Sequence, residues 1–249
     1  MQNLKVRKSS DRGYANHGWL QSYHSFSFAE YFDRNHMHFS ALRVINDDII
    51  APAQGFGTHP HRDMEIITYI LRGELQHKDN IGTGSVIRAG DVQRMTAGTG
   101  VAHSEFNASA TSDVHLLQIW IMPDSFNLQP SYEEKHFSTE QKLNLWCLIA
   151  ARNKQTSGLQ EAVLTVHQDM QLYASVLDAQ ARVDYTVNDN RSAYLHIARG
   201  NVEIDGQQLA SGDAVMLDGS AELLVKANAE SEMLLFDLPL HRPLAAKNE

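Results

Sequence analysis

The feature that most constrains the fold is a long series of short strand-like runs separated by glycine and aspartate turns. One run, Glu65–Leu71, is rich in β-branched residues and is closed by Arg72-Gly73-Glu74. Another run, Val114–Met122, is strongly apolar and stops at Pro123. Helical periodicity is almost absent, and short runs closed by turn residues are typical of antiparallel sheets. The sequence therefore predicts an all-β fold, a sandwich or a barrel.

The second half of the chain repeats the turn pattern of the first. Arg199-Gly200-Asn201 closes an apolar run as Arg72-Gly73-Glu74 does, and Ser211-Gly212-Asp213 corresponds to Ala89-Gly90-Asp91. Between the halves, two prolines interrupt any strand, and Ser138-Thr139-Glu140-Gln141 has the capping box of a helix start. We therefore expect one domain over residues 1–130 and a second over residues 131–249.

Two polar motifs of the first half, His59-Pro60-His61 and His103-Ser104-Glu105, each place two potential metal ligands at positions i and i+2. Side chains alternate faces along a strand, so such a pair points the same way, roughly 6–7 Å apart. Two such strands side by side would direct four donors into one space. These donors are His59, His61, His103 and Glu105, and nitrogen and oxygen donors of this kind suit a divalent transition metal.

The carboxylate of the predicted site has two candidates. Strand parity would also direct Glu65 inward, because it lies four positions after His61. We favour Glu105 because it gives two ligands on each strand, which leaves Glu65 as a buried hydrogen-bonding group. A closed structural zinc site is the alternative reading, but such sites usually contain cysteine and this set has none. Three histidines and a carboxylate instead leave open positions on an octahedral metal, as in non-haem iron sites.

Other local patterns carry weaker expectations. Asn46-Asp47-Asp48 is rich in turn-forming residues and predicts the end of a strand over Phe39–Ile45. His36-Met37-His38 lacks the glycine frame of the main motifs and is expected in a surface loop. His115 is expected in the core or at the barrel rim, and His167 is expected to be structural.

Composition narrows the class of protein. A formal net charge of −9 argues against direct binding of nucleic acid, which needs a cationic face. No run approaches the roughly 20 apolar residues of a membrane span, and no apolar signal-peptide core follows the basic N-terminus. Cys147 is the single cysteine, so no internal disulfide framework or thiolate metal site is expected. We expect a soluble cytoplasmic protein.

The two motifs resemble those of known proteins. The spacing from His59 through Glu65 to Gly73 resembles the first motif of the cupin superfamily, and Gly90–Asn107 resembles the second. More closely, Thr58–Glu65 together with Met95–Glu105 resembles the paired signatures of the pirin family of bicupins. Further segments similar to its bacterial members extend the resemblance from about residue 12 to residue 239; they are Asn16–Trp19, Phe39–Val44 and Val166–Met170.

The resemblance implies a bicupin with two antiparallel β-barrel, or jelly-roll, domains. It implies that His59, His61, His103 and Glu105 ligate one metal in the first domain, although many other cupins use the glutamate equivalent to Glu65. Iron(II) is the metal that the family implies, and the same ligand set accepts nickel, manganese, cobalt, copper or zinc. The second domain lacks these ligands and has apolar residues such as Val215 and Leu217 instead, so we expect a packed, metal-free barrel.

The resemblance also implies an activity, quercetin 2,3-dioxygenase, which opens the flavonol ring with O₂ and releases carbon monoxide. A flavonol can chelate a metal through its 3-hydroxyl and carbonyl oxygens, and Glu105 would accept the hydroxyl proton. Phe56, Met64, Phe106 and Trp120 are candidate apolar walls for such a planar ligand. Two alternatives remain: a metal- or redox-sensing regulator that acts through a protein partner, and a metal enzyme with another substrate.

Overall fold

The structure, a computed structural model, describes residues 4–152 and 163–240. Its first strands are β1 (Lys5–Arg7), β2 (Gly13–Asn16), β3 (Leu20–His24), β4 (Leu42–Ile50), β5 (Gly55–His61), β6 (Glu65–Arg72), β7 (Glu74–Asp79), β8 (Gly84–Arg88), β9 (Asp91–Thr96), β10 (Val101–Asn107), β11 (Val114–Ile121) and β12 (Ser131–His136). A seven-stranded sheet has the order β12-β9-β6-β11-β4-β3-β2, and a four-stranded sheet has the order β5-β10-β7-β8.

The second half is built in the same way. After the short helix α1 (Thr139–Lys142) it contains β13 (Cys147–Arg152), β14 (Leu164–Val166), β15 (Gln171–Leu177), β16 (Arg182–Val187), β17 (Arg191–Arg199), β18 (Asn201–Ile204), β19 (Gln207–Ala210), β20 (Ala214–Asp218), β21 (Ala221–Ala227) and β22 (Ser231–Pro239). Its sheets have the orders β1-β20-β17-β22-β15-β13-β14 and β16-β21-β18-β19. The all-β prediction with two cupin-like units is confirmed.

The repeated glycine turns have the same backbone geometry in both halves. Gly73 follows β6 with φ of +82°, and Gly200 follows β17 with φ of +88°. A Cβ at Gly73 would lie 2.8 Å from the Asp113 carbonyl oxygen, and one at Gly200 would lie 2.3 Å from that of Glu230. Only glycine accepts both this conformation and this close approach. The repeat seen in the sequence is therefore a repeat of structure.

Two strands pair across the predicted boundary. β12 follows residue 130 in the chain, yet it pairs antiparallel with β9 of the first half. β1 lies at the start of the chain and pairs antiparallel with β20 of the second half. Each half thus contributes a strand to the sheet of the other, and the division at residue 130 stays a prediction.

The main hydrophobic core lies between the two large sheets. On β6, Ile67 and Tyr69 are buried in the same cluster as Tyr194 of β17 and Phe236 of β22. The opposite face of β6 points into the first barrel, so this strand is covered on both sides and seven of its eight residues are buried. The large sheet of the first half is therefore packed against the second half of the chain.

The second barrel is filled by aliphatic side chains. Val215 and Leu217 of β20 pack in a separate core with residues from both sheets of this half, including Val202 and Val225. Val215 is fully buried and Leu217 is 2% exposed. The prediction of a packed apolar interior is confirmed.

Two local predictions have different outcomes. The capping box at the start of α1 is present. The Ser138 side chain accepts a hydrogen bond from the backbone N–H of Gln141, and the Gln141 side chain accepts one from the backbone N–H of Ser138. The turn predicted at residues 46–48 is wrong, since β4 continues through it and pairs with β3 and β11. Asn46 is buried and bonds His24, while Asp47 on the other face bonds Arg12, so the polar side chains have partners within the sheet. No helix among the described residues is long and apolar enough to cross a membrane.

Candidate metal centre

The candidate site lies on two neighbouring strands of the small sheet. β5 and β10 are antiparallel, and His59 stands directly opposite His103, while His61 stands opposite Val101. Alternation along β5 places His59 and His61 on one face, as the sequence predicted. The register shifts between His103 and Glu105 at a bulge-type irregularity, a feature that re-aims side chains next to functional sites.

Three of the predicted ligands form a compact group. One ring nitrogen from each of His59, His61 and His103 lies within 4.8 Å of the other two. The ring centroids are 4.5 Å apart for His59 and His103, 4.8 Å for His59 and His61, and 4.9 Å for His61 and His103. The arrangement provides three imidazole donors that surround one point.

The neutral state of His61 and His103 favours the binding of a metal cation. Burial, followed by the proximity of His59, lowers the pKa of His61 to about 4. Burial and the neighbouring histidines lower the pKa of His103 to about 2. The Nδ1 of His59 lies 2.8 Å from the carbonyl oxygen of Gly57, which can only accept, so the proton of a neutral His59 is on Nδ1 and its Nε2 is a free donor to a metal.

A buried nitrogen of His103 supports the same reading. Its Nε2 is buried and has no hydrogen-bond partner among the residues that the structure describes. Leaving a buried polar atom unpaired costs roughly 1–3 kcal/mol, so such atoms need a reason. A neutral imidazole is the form that metals bind. The three histidines therefore fit a divalent transition metal.

Glu105 lies deeper in the barrel and is oriented by three donors. Its Oε1 accepts from the Thr68 hydroxyl at 3.4 Å and the Gln93 amide at 3.1 Å, and its Oε2 accepts from the Gln118 amide at 2.8 Å. Burial and the nearby Asp48 carboxyl raise the pKa of Glu105 to about 7, although the three hydrogen bonds oppose the shift. The carboxyl can thus exchange a proton near neutral pH.

The groups that hold Glu105 belong to a polar row that crosses the large sheet in register. His24 of β3 pairs with Asn46 of β4, Asn46 pairs with Gln118 of β11, Gln118 pairs with Thr68 of β6, and Thr68 pairs with Gln93 of β9. We refer to these five residues as the polar row. Because they occupy matching positions on five strands, they form one continuous polar strip across the sheet.

Glu105 stands outside the group formed by the three histidines. It belongs instead to a second buried group, in which ligand atoms of His77, His103 and Glu105 lie within 4.8 Å of one another. Both groups share His103, and Glu105 lines the same cavity as His59 and His61. The structure brings the three histidines together; the place of Glu105 in the ligand set stays a prediction.

Glu65 is a buried hydrogen-bonding carboxylate, as expected, but the inward orientation that strand parity suggested is wrong. A turn separates His61 from β6, and Asp63 within it has φ of +48°, so strand parity does not carry across. The Glu65 carboxylate accepts from the Thr96 hydroxyl at 3.1 Å and from the backbone N–H of His167 at 2.7 Å. Glu65 therefore ties the first barrel to the second half, and His167 has the structural role that was expected of it.

A cavity of about 870 Å³ opens in front of the histidines. Two of the four predicted apolar walls, Phe56 and Trp120, line it, and the Trp120 ring lies edge-on to His61 with centroids 5.0 Å apart. Met64 packs against the same small hydrophobic cluster as Trp120, and Phe106 is 37% exposed; neither lines the cavity. Further aromatic walls come from the N-terminal segment, namely Tyr14, Trp19, Phe28 and Tyr31.

Several polar residues of the cavity were missed by the sequence reasoning. Ser22 and His24 of β3, with Asn46 and Asp48 of β4, all line the cavity. The signal was the alternation itself, because each pair stands at i and i+2 on one face of its strand. On β4 the alternation is obscured because Asn46-Asp47-Asp48 has the composition of a turn.

The other singled-out histidines lie away from the centre. His36 and His38 lie between β3 and β4, as expected for a loop, and the Nδ1 of His36 lies 2.6 Å from the Asp33 carboxylate. His115 sits on the outer face of β11, where its Nε2 is 2.6 Å from the Asp47 carboxylate. It does not line the cavity.

Comparison with known proteins places these features in a family. The family model described as Pirin matches residues 5–121, and the model described as Quercetinase C-terminal cupin domain matches residues 148–238. A protein of Escherichia coli strain K12 named quercetin 2,3-dioxygenase is 45% identical over 236 residues, which cover 95% of this chain and 99% of that protein.

Solved structures agree with the sequence match. The crystal structure of the E. coli bacterial pirin YhhW in complex with nickel(II) has a TM-score of 0.88 and 43% identity, covering 95% of this chain and 99% of that chain. A quercetin 2,3-dioxygenase structure from Acinetobacter baumannii has a TM-score of 0.74 at 22% identity, covering 98% of this chain and 89% of that chain. The second similarity is one of fold.

Proposed function

The chain belongs to the pirin family, and from that membership we propose that it is a metal-dependent dioxygenase that opens flavonols such as quercetin with O₂. Relatives of nearly the same length, 45% identical to this chain, carry the name quercetin 2,3-dioxygenase. The observation that carries the proposal is the convergence of three imidazoles beside an aromatic-lined cavity of about 870 Å³. Cavities of roughly 300–1,000 Å³ accommodate ligands of this size.

In this proposal His59, His61, His103 and Glu105 hold the metal. The three histidines provide neutral nitrogen donors, and Glu105 provides a carboxylate from the same barrel interior. We propose iron(II), the metal that the family implies; nickel(II) is the ion bound by the E. coli pirin. When bound, such a metal supplies the Lewis acidity that lowers the pKa of a coordinated hydroxyl.

Glu105 is proposed to accept the proton of the flavonol 3-hydroxyl. Burial and the nearby Asp48 carboxyl raise the pKa of Glu105 in the metal-free protein, which favours acceptance of a proton. The amides of Gln93 and Gln118 keep the carboxyl oriented while its charge changes. A general base of this kind contributes roughly 10²–10⁴-fold to a rate.

The aromatic walls are proposed to hold the planar substrate and to exclude water. Trp19 and Phe56 pack edge to face with ring centroids 5.1 Å apart, and Phe28 packs in the same way against Trp120 at 5.4 Å. All four rings line the cavity. Polar groups at its inner end, among them Asp48 and Asn46, can receive the hydroxyl groups of a polyphenol.

The test compares two glutamate variants of the metal-loaded protein. Glu105→Gln should reduce quercetin turnover by about 10²–10⁴-fold, because the amide cannot accept the proton. Glu65→Gln is the matched control and should keep most of the activity, since Glu65 faces Thr96 and His167. Turnover is followed by oxygen uptake and carbon monoxide release, and metal content is measured for both variants. Equal activity in the two variants, or a wild type that consumes no O₂ with any flavonol, would refute the proposal.

A further inference from the structure

Behind His103 lies a pair of buried residues that the proposed reaction does not use. His77 and Asp79 both stand on β7, and their side chains are fully buried. The Nε2 of His77 is 3.0 Å from Oδ2 of Asp79, and the Nδ1 of His77 is 3.4 Å from Nδ1 of His103. The three side chains form a line, Asp79–His77–His103, that ends at the group of metal-binding histidines.

The hydrogen bond at the Asp79 end of this line can have only one direction, from His77 to Asp79. Its Oδ1 accepts from the backbone N–H of Ile81 at 3.0 Å and of Thr83 at 2.8 Å. Its Oδ2 is the atom that faces His77, and an ionised carboxylate can only accept. The proton of a neutral His77 must therefore be on Nε2, because two lone pairs would otherwise face each other at 3.0 Å.

The tautomer of His77 in turn determines the tautomer of His103. With its proton on Nε2, His77 presents a bare Nδ1, which can only accept. The facing Nδ1 of His103 must then carry the His103 proton, and this leaves Nε2 of His103 unprotonated, with a lone pair that can bind a metal. That nitrogen is the buried atom without a hydrogen-bond partner in the described part of the chain.

We propose that Asp79 and His77 are positioning residues that set the tautomer of His103, so that its Nε2 lone pair is available to the metal before the metal arrives. The proposal rests on the metal centre of the proposed function. It follows the general rule that a metal-binding histidine donates its other ring N–H to a fixed acceptor, here a second histidine that a carboxylate orients. Because His103 already has the tautomer that binds metal, no free energy of binding is needed to change the tautomer, and the metal affinity is higher.

Asp79→Asn should reverse the direction of the hydrogen bonds along Asp79–His77–His103, because asparagine has the same shape as aspartate. The backbone donors of Ile81 and Thr83 require an oxygen, so the amide NH₂ must take the position of Oδ2 and donate to Nε2 of His77. His77 then carries its proton on Nδ1, and His103 must accept there and protonate Nε2, the atom meant for the metal. Replacing the carboxylate that orients a histidine by an amide is known to produce the wrong tautomer.

The matched control is Asp91→Asn. Asp91 also caps a turn, where its Oδ2 accepts from the backbone N–H of Arg88, and its Oδ1 lies 2.7 Å from Nδ1 of His136. His136 is largely exposed and lies outside the metal-binding groups of the described residues. The same substitution is thus made at an aspartate of the same local design that has no link to His103.

The experiment measures the tautomers directly in metal-free protein labelled with ¹⁵N-histidine. In the wild type and in Asp91→Asn, ¹⁵N NMR should show His103 protonated on Nδ1, and in Asp79→Asn it should show protonation on Nε2. Competition titration with nickel(II) should show about 10–100-fold weaker binding in Asp79→Asn alone. Circular dichroism verifies the fold of each variant.

The outcomes separate this proposal from the proposed function. His103 protonated on Nε2 in the wild type would overturn it without any variant, and so would equal nickel(II) affinity in Asp79→Asn and Asp91→Asn. No flavonol is used, so an inactive protein with the expected tautomers would refute the dioxygenase and leave the positioning role intact.

Discussion

At the scale of single residues, burial prepares the candidate centre for a cation. His61 and His103 have pKa values lowered to about 4 and about 2, chiefly because desolvation disfavours the charged imidazolium. The neutral forms of His61 and His103 repel one another little, and one nitrogen of each lies within 4.8 Å of the other and of a His59 nitrogen. A metal then binds without displacing a proton from either His61 or His103 at neutral pH.

Alanine substitution tests whether the histidines form one site. His59→Ala and His103→Ala should each lose most of the bound metal, because each removes one of the three converging nitrogens. The protein should stay folded, since its main core lies between the two large sheets. Metal content is measured by plasma mass spectrometry after dialysis, with His136→Ala as the control that retains metal. Near-stoichiometric metal in both site variants would show that the histidines are not ligands.

At the scale of elements, β4 places an acidic side chain, Asp48, in the interior of the first barrel. Asp48 is 3% exposed, and burial raises its pKa to about 7, although a hydrogen bond from Ser22 opposes the shift. Its Oδ1 has no hydrogen-bond partner among the described residues. Asn46 and Asp48 interrupt the apolar pattern of β4 at inward positions, which is costly for stability and is typical of strands that line a functional cavity.

The Asp48 carboxyl should make the stability of the metal-free protein depend on pH. Unfolded chains ionise this group above about pH 4, whereas the folded protein keeps the proton until about pH 7. The folded state thus binds more protons in this window, and the free energy of unfolding falls as pH rises through it. Asp48→Asn should reduce that fall by on the order of 1.4 kcal/mol per pH unit.

Urea unfolding of chelator-treated protein at several values between pH 4.5 and 7 measures the effect. Asp184→Asn on β16 is the control, since Asp184 is exposed. The account of β4 fails if the Asp48 and Asp184 variants have parallel pH profiles.

At the scale of the whole molecule, one fold is used twice with different interiors. The first barrel contains the polar row, Glu105 and the histidines, and the second is filled by aliphatic side chains. The large sheets of both halves share one core, and Tyr69 of the first half donates to Glu232 of the second at 2.6 Å. The second half therefore supports the sheet that carries the polar row. A regulatory protein partner stays a prediction.

Leu217→Ala tests this division of roles. Truncation of this buried side chain should lower the free energy of unfolding by about 2–5 kcal/mol. Bound metal and turnover per metal should be unchanged at moderate temperature, because β20 lies in the second barrel. Leu224→Ala is the control; Leu224 is 50% exposed, and its truncation should change stability by within about 0.5 kcal/mol. Urea unfolding measures the stability, and metal analysis measures the bound metal. Loss of metal together with stability in Leu217→Ala would contradict independent roles of the two barrels.

The sequence by itself determined the features that depend on local rules. Alternation and turn residues predicted the all-β class, and positive-φ glycines such as Gly73 and Gly200 marked the repeat. The i, i+2 spacing of His59 and His61 was enough to place both on one face, because side-chain parity within one strand is local.

Only the tertiary structure decided the features that depend on which strands meet. The turn at Asp63 reverses the side to which Glu65 points, and the pairing of β4 with β3 and β11 buries Asp48 in a segment with the composition of a turn. The alignment of His77 with His103 likewise exists only because β7 pairs with β10. Strand pairing and register are set by contacts between residues far apart in the chain, which local preferences do not encode.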